Sequence, residues 1–182
     1  ITEGKPEVTD IMAFNNFSEE KILQLAASAE KGSEHSLGAA IVADFEKRQI
    51  PFVSVQDFKA IPGRGITAVV DGKALMLGNV EFMMENQVID KNLPEAQTFS
   101  AQGKTAMYLA SDKTLAGIIA VADVVKPDSA DAIARLQQMG IRTVMLTGDN
   151  ELTARAIAAQ VNIDEVVAQV MPGDKAAQVT KY

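Results

Sequence analysis

The tightest constraint on the fold is a run near the C-terminal end, where Ile141 to Leu146 leads through Thr147-Gly148-Asp149-Asn150 into Glu151 to Val161. The first segment is short, mostly apolar and partly β-branched, the pattern of one buried strand. The last carries Leu152, Ala154, Ile157, Ala158 and Val161 at helical spacing. A strand that turns directly into a helix belongs to an α/β unit. In an open parallel sheet such turns lie at the carboxyl edge of the strands, where phosphate and metal ligands collect. Thr147 offers a hydroxyl and an N–H to a phosphoryl oxygen, and Gly148 lets the backbone come close. A plain helix cap by Asp149 or Asn150 accounts for the same residues and is the commoner outcome for a turn taken alone.

Upstream the texture differs. Ile1 to Thr9 is extended, with Pro6 blocking a helix. Ser18 caps a predicted helix from Glu19 to about Lys31, with Ile22, Leu23, Leu25, Ala26 and Ala29 on its buried side. Gly32-Ser33-Glu34-His35 breaks it, and a second helix runs from Ser36 to about Arg48. From Phe52 the period becomes strand-like: Val53 to Phe58, then Ile66 to Val70 and Lys73 to Leu77 flanking Asp71-Gly72, a strong hairpin signal. Short helices are predicted at Val80 to Asn86 and Leu93 to Gln102. A second hairpin joins Ala106–Ala110 to Thr114–Ala122. This middle region reads as antiparallel α+β, and the stretch after Asp123 as α/β, with a strand at Val166-Val167 and a last helix from Asp174. The two architectures imply two subdomains.

Composition excludes several function classes. A formal charge of −7 argues against nucleic acid as a partner. Without cysteine there is no disulfide frame, thiolate metal site or thiol nucleophile, and one histidine rules out a His-rich metal centre. The longest apolar run, Leu115 to Ala122, is too short to span a bilayer. The polar opening Ile1-Thr2-Glu3-Gly4-Lys5-Pro6 is unlike a secretion signal. Ile1 is not an initiator methionine, and Thr180-Lys181-Tyr182 reads as a continuing helix, so a piece of a larger protein is expected.

Single features are weak. His35, between two helices, reads first as a capping or packing residue and second as a ring that stacks on a ligand. Gly63-x-Gly65 reads as a tight turn or as clearance for a purine or phosphate chain, but lacks the rest of a dinucleotide fingerprint. Lys175, after Pro172-Gly173-Asp174, reads as a solvated lysine or as a charge that neutralises a phosphoryl group. Asp123 and Asp128, bracketing Lys126-Pro127, look like a helix entry.

Taken in order, Glu30 with His35, Gly63-x-Gly65, Gly78-Asn79, Thr147-Gly148-Asp149-Asn150 and Pro172-x-Asp174-Lys175 resemble the P-type ATPases. More narrowly they are similar to the heavy-metal-transporting branch, whose nucleotide-binding domain carries Ser-Glu-His-Pro-Leu and Gly-x-Gly. The opening Ile1 to Pro6 is similar to the residues just after that family's Asp-Lys-Thr-Gly-Thr phosphorylation motif. The resemblance implies an α+β nucleotide-binding domain at 7–121, an antiparallel sheet flanked by helices. It would be inserted in a partial α/β, haloacid dehalogenase-like Rossmannoid phosphorylation domain at 1–6 and 122–182. It implies ATP as ligand, with His35 orienting the adenine, Glu30 and Glu34 on the purine side, Gly63 and Gly65 close to the nucleotide, and Gly78 and Asn79 lining the pocket. Thr147, Gly148 and Asp149 would hold the phosphoryl group, Lys175 would stabilise transferred charge, and Asp123 would sit at the hinge.

Two departures bear on the chemistry. The family's proline after the histidine is Ser36 here. The phosphorylated aspartate and the Gly-Asp-Gly-x-Asn-Asp segment, which carries most of the Mg²⁺ ligands, would lie outside these residues, so no metal site is expected within them. The implied whole is an ATP-driven cation pump in which this stretch, on the cytoplasmic side of a membrane, works with actuator and transmembrane domains that carry the metal cation. Likeness to relatives favours monovalent copper over zinc or cadmium. The alternatives are a soluble haloacid dehalogenase-like phosphatase with 7–121 as its cap, which needs an acidic nucleophile that neither Ile1 nor Thr2 supplies, and a docking module with a dead nucleotide pocket.

Overall fold

The computed structural model of the chain describes residues 1–33 and 35–181. Strand β1 (Thr2–Ala13) is followed by helices α1 (Glu19–Glu30) and α2 (Ser36–Lys47). Strands β2 (Val55–Ile61), β3 (Gly65–Val70) and β4 (Lys73–Gly78) come next, then α3 (Val80–Glu85), α4 (Pro94–Ala101), β5 (Thr105–Ser111) and β6 (Thr114–Val125). These six strands form one antiparallel sheet in the order β1-β6-β5-β4-β3-β2. Ser18 accepts from Lys21 N at 3.2 Å and starts α1 as its sequence implies. Asp71 and Gly72 both have positive φ (51° and 74°), the geometry that a two-residue hairpin needs.

Helices cover both faces of this sheet, which explains why β5 and β6 read as continuous apolar runs rather than alternating ones. Leu77, Met107, Leu109, Ile119 and Val121 pack with Ile22, Leu23, Ile41 and Phe45 of α1 and α2. The intervening Tyr108, Ala110, Ile118 and Ala120 face Phe82, Met83, Ala96 and Phe99 of α3 and α4. At Gly117 the packing leaves no room for a side chain: an added Cβ would overlap Ile22 Cδ1 and lie 2.7 Å from the Met12 carbonyl oxygen.

The chain leaves the sheet where it entered. β1 and β6 pair from Ala13↔Gly117 through Glu7↔Ala122 to Thr2↔Val125, so the expected limits at 6/7 and 121/122 fall inside two paired strands. Asp123 lies in β6 rather than at a helix entry. Its carboxylate accepts from the N–H groups of Gly4 and Lys5, both at 3.1 Å, across an irregular stretch of the β1–β6 ladder. Asp128 occupies the N-cap of α5 (Ser129–Gln138) without a side-chain cap bond, and Ser129 Oγ instead donates to the Ile1 carbonyl at 2.8 Å.

Beyond α5 lie β7 (Val144–Leu146), α6 (Glu151–Gln160), β8 (Glu165–Val167), a 3-10 turn at Pro172–Asp174 and α7 (Lys175–Thr180). β7 pairs with β8 in parallel, and Met145, Ala154, Ile157 and Ala158 form a third, small core. The strand expected over 141–146 is half that length. Gly140 takes φ +77° and Ile141 N donates to Leu136 O, so these residues finish α5. Among the described residues no helix is long and apolar enough to cross a membrane.

Gly117→Ala is expected to cost about 2–3 kcal/mol, since neither the Met12 backbone nor Ile22 can retreat without moving a strand or a helix. A urea titration checks this; an unchanged midpoint contradicts the packing described.

Candidate functional site

The predicted site residues fall into three groups. In the first, Glu30 ends α1 and is 3 % exposed, its side chain pressed against Gly38 of α2, where an added Cβ would overlap Glu30 Oε2. That oxygen is buried with no hydrogen-bond partner among the described residues. Burial pushes the Glu30 carboxyl above the ordinary glutamate value, and the Ser33 hydroxyl and the His35 imidazole pull it partly back. His35 occupies the N-cap position of α2 but makes no side-chain cap bond, and it is exposed. The capping reading of this histidine therefore fails, and its ring stands at the surface close enough to act on the Glu30 carboxyl. Glu34 lies outside the described residues.

The second group is a knot of backbone. Gly65 pairs with Gly78 across β3 and β4, and a Cβ on either would collide with the other strand. Asn79 accepts from Phe82 N at 2.9 Å, capping α3, and donates through Nδ2 to Gly63 O at 2.9 Å. Gly63 takes φ +72°, so the Gly63–Gly65 turn is fixed from both sides. Between the glycines, Arg64 reaches away to Glu85 at 2.7 Å. Gly78 and Asn79 thus build the turn and support it.

The third group is the turn after β7. Asn150 is the cap of α6, accepting from Thr153 N at 3.0 Å. Thr147 and Asp149 are free of the capping role and bond to each other. Thr147 Oγ1 donates to Asp149 Oδ2 at 2.7 Å and accepts from Asp149 N at 3.2 Å. Thr147 N donates to Val167 O, and Val170 N to Thr147 O, both at 3.0 Å, so the turn is braced by the segment after β8. Gly148 and Asp149 are exposed. Lys175, the first residue of α7, is exposed, and among the described residues neither a hydrogen bond nor an ion pair joins it to this turn.

Two of the groups approach one another. The Met171 methyl lies 4.0 Å from a Cβ placed on Gly63, and the Val170 carbonyl 3.5 Å from one placed on Gly148. Val170-Met171 therefore bridges the Gly63 turn and the Thr147 turn. The described contacts do not join either to the Glu30–His35 group. A surface hollow of about 750 Å³ includes none of the predicted residues; Asn15, Gln87, Asp90 and Lys113 are among its lining. Gly38 and Met171 were missed in the sequence. An acid at a helix end followed eight residues later by a glycine was the available signal for the first, while nothing marked the second.

The chain belongs to the haloacid dehalogenase-like hydrolases, whose family model matches residues 1–182. Within that class its resemblance is to P-type ATPases. It is 48 % identical over 180 residues to a copper-exporting P-type ATPase of Staphylococcus saprophyticus, covering 98 % of this chain and 22 % of the relative. It is 45 % identical over 180 residues to a copper-transporting P-type ATPase of Rhizobium leguminosarum, covering 98 % and 21 %. Among solved structures, a zinc-transporting PIB-type ATPase in its E2.Pi state matches with a TM-score of 0.66 at 32 % identity, over 99 % of this chain and 29 % of that one. The chain thus spans about a fifth of the length of the curated relatives it matches.

Glu30→Gln gives a signed test of the first group. A carboxyl whose folded value is raised contributes stability fully below its unfolded value near 4.5, and that contribution is lost as the pH rises through the folded value. The variant is therefore expected to be at least as stable as wild type at pH 7, with its relative advantage shrinking below pH ~4.5. Parallel urea melts at the two pH values check the sign; a variant clearly less stable at neutral pH would refute it.

Proposed function

We propose that the chain is the ATP-binding cytoplasmic part of a membrane-embedded heavy-metal cation pump, of the copper-transporting kind. The observation that carries the reading is the Glu30 carboxylate oxygen, buried beside exposed His35 and left without a partner among the described residues. A buried carboxylate oxygen left without a donor costs free energy. A purine amino group supplies the missing donor, and an exposed imidazole supplies a flat partner to stack on it. Gly38 fits the same purpose, since any larger residue would displace the carboxylate. The two copper-named relatives at 45 and 48 % identity support the cargo assignment.

In this reading residues 7–121 are the nucleotide-binding unit, and residues 1–6 and 122–182 are part of the phosphorylation unit. Gly63 and Gly65 let the phosphate chain pass close to the backbone, with Gly78 and Asn79 holding that turn; Glu34 joins Glu30 on the purine side. On binding, the Thr147 hydroxyl turns from Asp149 to the γ-phosphoryl group, exposed Gly148 lets that group approach the backbone, and Lys175 contributes its charge. The acceptor is an aspartate elsewhere in the pump. Mg²⁺ supplies charge neutralisation on the phosphates. Its ligands are contributed from outside these residues, and Asp149 helps to hold the phosphoryl group beside Thr147. The actuator and transmembrane parts of the same pump are the remaining partners, the latter carrying the metal cation.

Zinc or cadmium is the second reading for the cargo, favoured by the match to a zinc-transporting enzyme. A soluble phosphatase with a cap is the second reading for the whole, favoured by the family match alone. The complete reading frame separates pump from phosphatase: flanking hydrophobic spans mean a pump, and a short frame without them a phosphatase.

ATP is expected to bind this chain with a Kd of roughly 0.1 to 1 mM, equivalent to about 4–5.5 kcal/mol. His35→Ala should weaken it at least about fivefold with the melting temperature unchanged. Calorimetric titration reads both affinities, and equal values for wild type and variant would remove His35 from the site.

A further inference from the structure

We infer that Arg64 makes the site select for the length of the phosphate chain: its guanidinium leaves Glu85 for the phosphates of ATP, and Glu85 sets how readily it does so. This rests on the nucleotide reading above and adds to it a charged contact along the tail, next to the base.

Arg64 stands between Gly63 and Gly65, and its backbone and side chain are held very differently. Its N–H donates to Ile61 O at 3.0 Å, and its carbonyl accepts from Asn79 N at 2.9 Å, so the backbone belongs to the braced turn. Gly63 and Gly65 take φ +72° and +152°, whereas Arg64 is not in the left-handed region. The turn therefore asks for glycine on either side but for no particular residue between them. The Arg64 side chain pairs with Glu85, the last residue of α3, at 2.7 Å. Both side chains are well exposed, at 38 % and 54 %.

An exposed pair of this kind adds little to stability. Its effect on charge is larger. Glu81 and Glu85 both lie on the outside of α3, which starts at Asn79, the residue that holds the Gly63 turn. Without the guanidinium, that side of the turn would present carboxylates to a polyphosphate. Arg64 compensates Glu85 in the empty site and stays charged throughout the physiological pH range. A guanidinium also matches phosphate oxygens with two parallel N–H donors, which a carboxylate pair at the surface does not outbid once several phosphates are present.

The exchange replaces one ion pair by another. Glu85, already more than half exposed, is left to water when the guanidinium turns to the nucleotide. ATP gains most from this, because its tail carries more charge than the single phosphate of AMP. The base is read at Glu30 and His35 in either case, so removing Arg64 should affect the tail and spare the base.

The test is calorimetric titration of AMP and ATP into wild type, Arg64→Gln, Glu85→Gln and the double variant, with the Arg64 Nε–Hε signal followed by NMR. Arg64→Gln should lower the ATP-to-AMP affinity ratio at least about fivefold, with AMP binding within about twofold of wild type. Glu85→Gln should raise the ratio at least about twofold, and this gain should vanish in the double variant. The Arg64 signal should move more with ATP than with AMP. An unchanged ratio in Arg64→Gln overturns the inference. So does a Glu85→Gln gain that persists without Arg64, which would reflect only the loss of a negative charge. An Arg64→Gln chain that no longer folds would give the arginine a structural role and also overturn it. A wild type that binds neither nucleotide refutes the nucleotide reading and the inference together, whereas normal AMP binding with an Arg64-independent ratio strikes the inference alone.

Discussion

Everything in this molecule hangs on the pairing of β1 with β6. The first strand of the chain lies beside the last strand of the sheet, so the polypeptide must cross to the far edge through α1 and α2 and return strand by strand. That path places entry and exit together at one end. Asp123 secures the irregular stretch there by accepting from two successive N–H groups of β1, which would otherwise lack ladder partners. The smaller α/β piece can then follow β6 directly. Its two-stranded parallel sheet buries little by itself and leans on α6 and on the residues around Val125.

The same sheet explains the state of Glu30. Seven other buried residues of α1 lock the helix down against the sheet and α2, and the carboxylate at its end is carried inward with them. Folding alone offers no return for this: the oxygen is desolvated, unpartnered among the described residues, and pressed on a glycine. A protein that needed only a helix end at this point would do better with an alanine. The unfavourable group is the reason to place a ligand here rather than at the hollow beside Asp90 and Lys113, which is open but offers no such unsatisfied atom among the described residues.

Much of the architecture was legible because it is written locally. The Ser18 cap, the Asp71-Gly72 turn and the apolar faces of α1 and α2 arise from neighbouring residues, and each stands where it was expected. The expectation failed where one local signal competed with another. Ile141 looks like the start of a strand, yet after the Gly140 turn its N–H closes the end of α5 on Leu136 O. β1 runs on to Ala13 because β6 offers partners that no local reading of Asp10 to Ala13 reveals. At the site, the turn after β7 left open whether Asp149 or Asn150 caps α6. Geometry assigns the cap to Asn150, leaving Thr147 and Asp149 bonded to each other. The burial of Glu30, the bridge through Met171 and the hydrogen bond from the Thr153 hydroxyl to the Lys104 carbonyl join positions far apart in sequence, which periodicity and capping rules cannot see.

The central claim is that a purine completes the hydrogen bonding of Glu30 and that its phosphate tail reaches the turn at Thr147. A titration of ¹⁵N-labelled chain with ATP, followed amide by amide, tests it most directly. The account predicts saturable shifts centred on Glu30 to Gly38 and on Gly63 to Gly65, extending to Gly148. Shifts confined to the hollow around Gln87 and Lys113, or no saturable shift at all, would contradict it.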